Sequence, residues 1–182
     1  MIVTTFLRKG WVCVLAAMLV ACADDIVEGT TQVRIDHHPG EPKIQRAKHT
    51  QIYRDGRWLH HGPAEYFDKQ GNPEGYGSYA DGREEGAWVL HTEDGMRSEG
   101  EFVAGRREGI WNWFHPTGKV GLTGSFVDGV RNGEWTTHDQ EGRITERATW
   151  RHGVRHGPTL IYDAKGHVLE TVRYIDDVRV DS

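Results

Sequence analysis

Cysteine, histidine, serine, carboxylate and guanidinium groups are where chemistry could begin in this chain, and few of them stand in a useful pattern. The sequence holds two cysteines, Cys13 and Cys22, and eleven histidines in 182 residues. Two cysteines build neither a disulfide framework nor a four-Cys zinc site. His37-His38 and His60-His61 are adjacent, and His152 and His156 stand four apart. That last spacing points to a metal only on a helix, where both rings share a face; here it falls in Gly-rich, strand-like sequence. Ser78, Ser98 and Ser125 sit outside any Gly-x-Ser-x-Gly elbow. Glu85, Glu108, Glu134, Glu146 and Glu170 are spread evenly, whereas an active site needs polar groups that converge. The expectation is no enzyme, no cofactor and no metal site. A formal net charge of −5 removes the basic field of a nucleic-acid binder. Arg83, Arg107, Arg131 and Arg155 recur on what read as connecting loops, either as solvated turns or as a comb for anionic groups such as lipid headgroups.

The elements that must carry these groups begin with an address. Residues 1–21 hold a positive pair, Arg8-Lys9, and an apolar run from Trp11 to Val20 that is short for a span of ~20 residues. The run ends in Leu19-Val20-Ala21-Cys22, which resembles the lipobox of bacterial lipoproteins. The resemblance implies cleavage after Ala21 and lipidation of Cys22, giving a membrane anchor through acyl chains. Ala23, rather than Asp, follows the cysteine, which by the same resemblance favours the outer membrane facing the periplasm over the inner membrane. Residues 22–50 then read as the lipidated Cys and a flexible polar tether, of roughly 30 Å as a random chain.

From residue 51 to 178 the chain repeats. Gly62, Gly86, Gly109, Gly133 and Gly157 are 24, 23, 24 and 24 residues apart, and a second glycine follows each by nine residues. A third glycine, at 82, 105, 129 and 153, is replaced by Asp177 in the last unit. An aromatic precedes that third position by three residues throughout: Tyr79, Phe102, Phe126, Trp150 and Tyr174. The units are 62–85, 86–108, 109–132, 133–156 and 157–178. His91 and His138 share a slot with Phe67, Phe114 and Tyr162, so that slot asks for a ring rather than a ligand. The glycine excess, 23 of 182 residues against an average usage of ~7%, belongs mostly to this period.

Each unit reads as a β-hairpin, because apolar residues alternate with period two around Gly/Pro/Asn/Asp turns. Five units give an all-β, single-layer antiparallel sheet of about ten strands. With residues 116–119 as the loop inside a hairpin, Trp111 faces Gly124, Trp113 faces Leu122, Trp135 faces Ala148, Trp88 faces Gly100 and Thr159 faces Val172. Glycine in the second strand is thus expected to seat a neighbouring indole. With 129–132 as the loop between units, Phe126 falls opposite Trp135. Trp88, Phe102, Trp111, Trp113, Phe126, Trp135 and Trp150 would form an aromatic face, a candidate binding strip if left uncovered.

The motif Gly100-Glu-Phe102-Val-Ala-Gly105-Arg-Arg-Glu-Gly109-Ile-Trp111, repeated at Gly124-Ser-Phe126-Val-Asp-Gly129-Val-Arg-Asn-Gly133-Glu-Trp135, resembles the MORN-repeat variant of YwqK-family antitoxin-like proteins. The resemblance implies a repeat scaffold that works by binding. The leading expectation is a non-enzymatic, lipid-anchored scaffold of the bacterial envelope with a protein partner. An antitoxin or immunity protein neutralising a toxin, and a glycan or peptidoglycan binder using the aromatic face, stand as alternatives.

Overall fold

The computed structural model describes residues 26–92 and 95–180. Among them there is no helix, and thirteen strands form one open antiparallel sheet in strict chain order. The strands are β1 (Thr31–His38), β2 (Glu41–Arg54), β3 (Arg57–Phe67), β4 (Pro73–Ala80), β5 (Arg83–His91), β6 (Arg97–Val103), β7 (Arg106–Phe114), β8 (Val120–Val127), β9 (Val130–His138), β10 (Ile144–Arg151), β11 (Val154–Tyr162), β12 (Val168–Ile175) and β13 (Val178–Val180). The five repeat hairpins are β3–β4 through β11–β12, and β1, β2 and β13 extend the sheet beyond them.

Two kinds of turn alternate. Inside a unit, a three-residue loop such as Pro116–Gly118 is closed by His115 N–H donating to the Lys119 carbonyl at 2.8 Å, with Gly118 at φ 83°. Between units the turn has two residues, both left-handed: Asp128 at φ 52° and Gly129 at φ 81°. Two positive φ values in a two-residue hairpin match the right-handed strand twist, which is why Asp-Gly recurs there. Asp176-Asp177 turns the chain the same way at the last connection, at φ 47° and 64°. The turns are tied sideways as well. Gly129 N–H donates to the Arg107 carbonyl at 2.9 Å, and Gly153 N–H to that of Arg131 at 2.9 Å. Glu85 and Glu108 each accept the backbone N–H of a turn residue, Ala104 and Asp128, at 2.9 Å. The evenly spread glutamates thus include structural turn caps.

The register inside the hairpins follows the expected pairing: Trp111 faces Gly124, Trp113 faces Leu122, Trp88 faces Gly100, Trp135 faces Ala148 and Thr159 faces Val172. Between units the expected register is corrected. The two-residue turn pairs Val127 with Val130 and Phe126 with Arg131, not with Trp135. Ser125 then pairs with Asn132 and Gly124 with Trp135, so two extra residues of β9, Gly133 and Glu134, form a bulge. An even number of extra residues keeps the side chains on the same face, and Gly133 takes it up at φ 84°.

The tether is also corrected. Residues 31–54, most of which fall within the expected tether, form the hairpin β1–β2. Their polar composition conceals core positions, since Ala47, His49, Gln51 and Ile52 are buried against β3. The folded repeat sheet therefore begins near residue 31 and contains three strands more than the repeat alone supplies.

One inter-unit turn carries a mismatch. Ala104 takes the left-handed position at φ 50° that Asp fills in four other two-residue turns, at 55, 81, 128 and 176, and His152 in a fifth. A side chain without a local hydrogen bond is unfavourable there. Ala104→Asn is expected to raise the urea midpoint, corresponding to about 0.5–1 kcal/mol; an unchanged or lowered midpoint would contradict the turn assignment.

Candidate functional site

Among the described residues the sheet has no second layer, so it has to bury its apolar face with its own side chains. Three tryptophans do this in one repeated way. Trp88, Trp111 and Trp135 lie flat over Gly77, Gly100 and Gly124 of the preceding strand, and a Cβ added at any of these glycines would fall inside the indole ring. The seat expected from the sequence exists, but its occupant differs. Gly124 pairs with Trp111 on one side yet carries the indole of Trp135 from the next unit. The indole N–H completes the arrangement: Trp88 Nε1 donates to Ser78 O at 3.0 Å, Trp111 Nε1 to Glu101 O at 3.1 Å and Trp135 Nε1 to Ser125 O at 3.2 Å. Each accepting carbonyl follows its glycine directly, where the bulge interrupts the ladder. The ring covers the glycine and its N–H supplies a donor where a strand N–H is displaced.

Size reciprocity extends to the ends of the array. Ala148 replaces the glycine where the next strand offers Thr159, and His49 replaces it where the next strand offers Ala64. A large residue on one strand meets a small one on the other throughout. Edge-on aromatic contacts link the tiles: Tyr79–Trp88 at 5.2 Å, Trp88–Phe102 at 5.9 Å, Phe102–Trp111 at 5.1 Å and Phe126–Trp135 at 5.2 Å between ring centres. Such pairs add about 0.5–1.5 kcal/mol each beyond area burial.

The seven residues of the expected binding strip do share one face, but they do not form an open strip. Trp88, Trp111, Phe126 and Trp135 are buried, Trp111 completely, and Phe102, Trp113 and Trp150 are packed against them. The aromatic face is the core. Flat stacking on the glycines and edge contacts between rings close it, which removes sugar stacking on Trp88, Trp111 and Trp135. Cys22, the expected lipidation site, lies outside the described residues.

Arginines roof this core. Arg107 lies over Trp111 at 4.6 Å, and Arg131 lies between Trp135 and Trp150 at 4.2 and 4.7 Å. Arg155 lies over Tyr174 at 5.4 Å and over Trp150 at 5.7 Å. The loop comb expected from the sequence is corrected here. Arg107, Arg131 and Arg155 sit within strands, directly across from Phe102, Phe126 and Trp150, while Arg83 is one position out of phase and Glu84 takes its slot opposite Tyr79. The signal was present as an arginine five residues after the aromatic, at Phe102/Arg107, Phe126/Arg131, Trp150/Arg155 and Tyr174/Arg179. Reading it requires the two-residue turn. Burial lowers the pKa of the Arg107 and Arg131 guanidinium groups, with Arg155 adding repulsion at Arg131.

The sheet departs from the repeat pattern just ahead of the first unit, where β2 meets the start of β3. His49 is 4% exposed, both its ring nitrogens are buried without a hydrogen-bond partner, and its ring lies 4.3 Å from that of His60. Burial, then the neighbouring His60, pushes its pKa below the usual 6.5. Among the described residues no three His, Cys, Asp or Glu side chains gather as metal ligands.

Residues 107–128 match the family model described as a MORN repeat variant. No curated protein matches the chain. Among solved structures, the chain is similar to a mutant of S. aureus TarM in complex with fondaparinux, alpha-GlcNAc-glycerol and UDP, at 16% identity and a TM-score of 0.34, and to TarM in a second crystal structure, at 17% identity and a TM-score of 0.34. Each match covers 61% of this chain, which spans only 19% of the length of the TarM chain.

Two outcomes follow from this packing. Gly124→Ala should destabilise the sheet by about 1–3 kcal/mol through overpacking against Trp135. In a Trp135→Ala background the same change should cost little. Chemical denaturation of the four proteins measures both, and an equal cost in the two backgrounds would refute the seat. Since His49 has a lowered folded pKa, its neutral form supports full stability above about pH 6.5. Stability should fall as pH drops below that value, because the unfolded chain takes up the proton first, and the loss should level off below the folded pKa. His49→Leu should flatten the melting temperature between pH 7 and 5 relative to the parent; parallel profiles would contradict it.

Proposed function

We propose that the protein is a non-enzymatic, lipid-anchored repeat scaffold of the bacterial envelope that binds a protein partner. The observation that carries the reading is the uniformity of the sheet. Consecutive units repeat one packing device, and their polar residues serve as turn caps, ladder neighbours and roof cations rather than converging on one centre. A MORN-type repeat within such an array supports a binding scaffold, and function on a repeat fold is argued from its surface rather than from the fold itself. The lipobox-like Leu19-Val20-Ala21-Cys22 supports the anchor. Two or three acyl chains, at ~0.8 kcal/mol per buried methylene, hold a protein stably on a membrane where a single chain would not.

Cys22→Ser should abolish incorporation of a fatty-acid label and release the protein from the membrane fraction. Unchanged labelling would end the anchoring reading. Photo-crosslinkers placed across the sheet should capture the same protein from intact cells through neighbouring units. Capture of none would contradict the scaffold reading.

A further inference from the structure

Three units and the strand that follows the last one, β13, place an arginine on the aromatic face across from a ring: Arg107, Arg131, Arg155 and Arg179. The repeat neutralises the last two internally, with a glutamate nine residues earlier. Arg155 Nη2 lies 3.4 Å from Glu146 Oε1, and Arg179 Nη2 lies 3.0 Å from Glu170 Oε1. In the two middle units that glutamate is missing. Leu122 stands nine residues before Arg131, and Ser98 nine before Arg107. Among the described residues neither Arg107 nor Arg131 has a carboxylate partner, and Arg107 Nε is buried without a hydrogen bond. Partly buried cations on aromatic rings, without a counter-charge, call for one from outside the chain.

Their spacing selects the shape of the partner. Arg107 on β7 and Arg131 on β9 hold equivalent positions two strands apart, which is roughly 9.5 Å at the usual strand separation. A polyproline II chain turns every three residues with a ~3.1 Å rise, so it presents the same face every ~9.3 Å. A β-strand presents the same face every ~6.7 Å, and an α-helix every seven residues, ~10.5 Å. Beside Arg107 lies a cleft of about 350 Å³ with Leu90, Met96 and Trp113 as apolar walls and His91, Arg97 and Glu74 as polar ones; Arg97 is paired to Glu99, and Glu74 makes no ion pair with Arg107. Trp113 is only half-buried. Apolar walls beside an aromatic ring suit prolyl side chains.

We propose that Arg107 and Arg131 dock an acidic, proline-rich peptide, laid across the strands in the polyproline II conformation with a carboxylate at every third residue. This rests on the protein-binding reading above and names the chemistry of the partner. One carboxylate meets each guanidinium, and the intervening prolines rest on Trp113 and the cleft beside Arg107. Arginine, planar and partly desolvated, suits a bidentate carboxylate contact.

Fluorescence anisotropy of the full chain with a labelled Glu-Pro-Pro repeat peptide tests the proposal. The comparator is a peptide of equal composition with its glutamates clustered. The periodic peptide should bind, and the clustered one should bind about tenfold more weakly. Arg107→Gln and Arg131→Gln should each weaken binding about tenfold. Arg155→Gln, which removes an arginine already paired to Glu146, should leave it nearly unchanged. Leu122→Glu, which supplies Arg131 with the internal acid that Arg155 has, should weaken binding as Arg131→Gln does. Equal binding of the two peptides to the unmodified chain would overturn the proposal whatever the variants do. So would full binding by the folded Arg107→Gln/Arg131→Gln double variant, or arginine-dependent binding of phosphatidylglycerol vesicles or polygalacturonate without binding of the peptide. In that event in-cell crosslinks to a protein through another part of the sheet would still support the scaffold reading, and their absence would remove both.

Discussion

An indole lying flat on a glycine is the contact on which the rest of this structure depends. A single antiparallel sheet exposes two faces, and nothing else in the described chain can cover the apolar one. Trp88, Trp111 and Trp135 solve this by lying along the sheet, which requires the absence of a side chain beneath them. The requirement propagates outward. A ring placed over the preceding strand directs its N–H to the carbonyl beside the glycine, and the bulge leaves that carbonyl without its ladder donor. The bulge needs two extra residues in each unit, and the two-residue turn before it brings arginine beside the ring. Period, glycine content and the arginine roof thus come from one packing problem solved repeatedly.

The ends show the same constraint with its terms exchanged. Where Thr159 follows, Ala148 fills the seat; where Ala64 follows, His49 fills it. These exchanges keep the layer full without an indole, but at a cost in polar satisfaction. His49 and Thr159 both have buried polar atoms without hydrogen-bond partners. The middle units carry both the ideal device and the unpaired arginines, so the best-packed part of the sheet also carries its unmatched charge. Rigid elements place binding groups more accurately than loops do.

The hairpins, their internal register and the glycine seats were legible because they rest on fixed offsets between large and small residues. The register between units was not, because a loop over 129–132 and a two-residue Asp128-Gly129 turn with a bulge fit the same spacing; only backbone φ distinguishes them. The β1–β2 hairpin was hidden because His49 and Gln51, polar by composition, fill core positions. For the candidate site, the residues of the aromatic face were identified from alternation, but their burial was not. Alternation assigns a face and says nothing of what covers it. The five-residue offset from aromatic to arginine was visible, yet it acquires meaning only once the turn places the two side by side.

The central claim is that glycine and tryptophan on adjacent strands form one unit, and moving that unit tests it most directly. Thr159 and Ala148 occupy the position that lacks it, with Val172 on the far side. In a Val172→Ala background, Thr159→Trp alone should destabilise the sheet by about 1–3 kcal/mol through overpacking. Adding Ala148→Gly should reverse that loss, with a favourable coupling above about 1 kcal/mol in a double-mutant cycle measured by urea denaturation. Additive effects of the two substitutions would contradict the account.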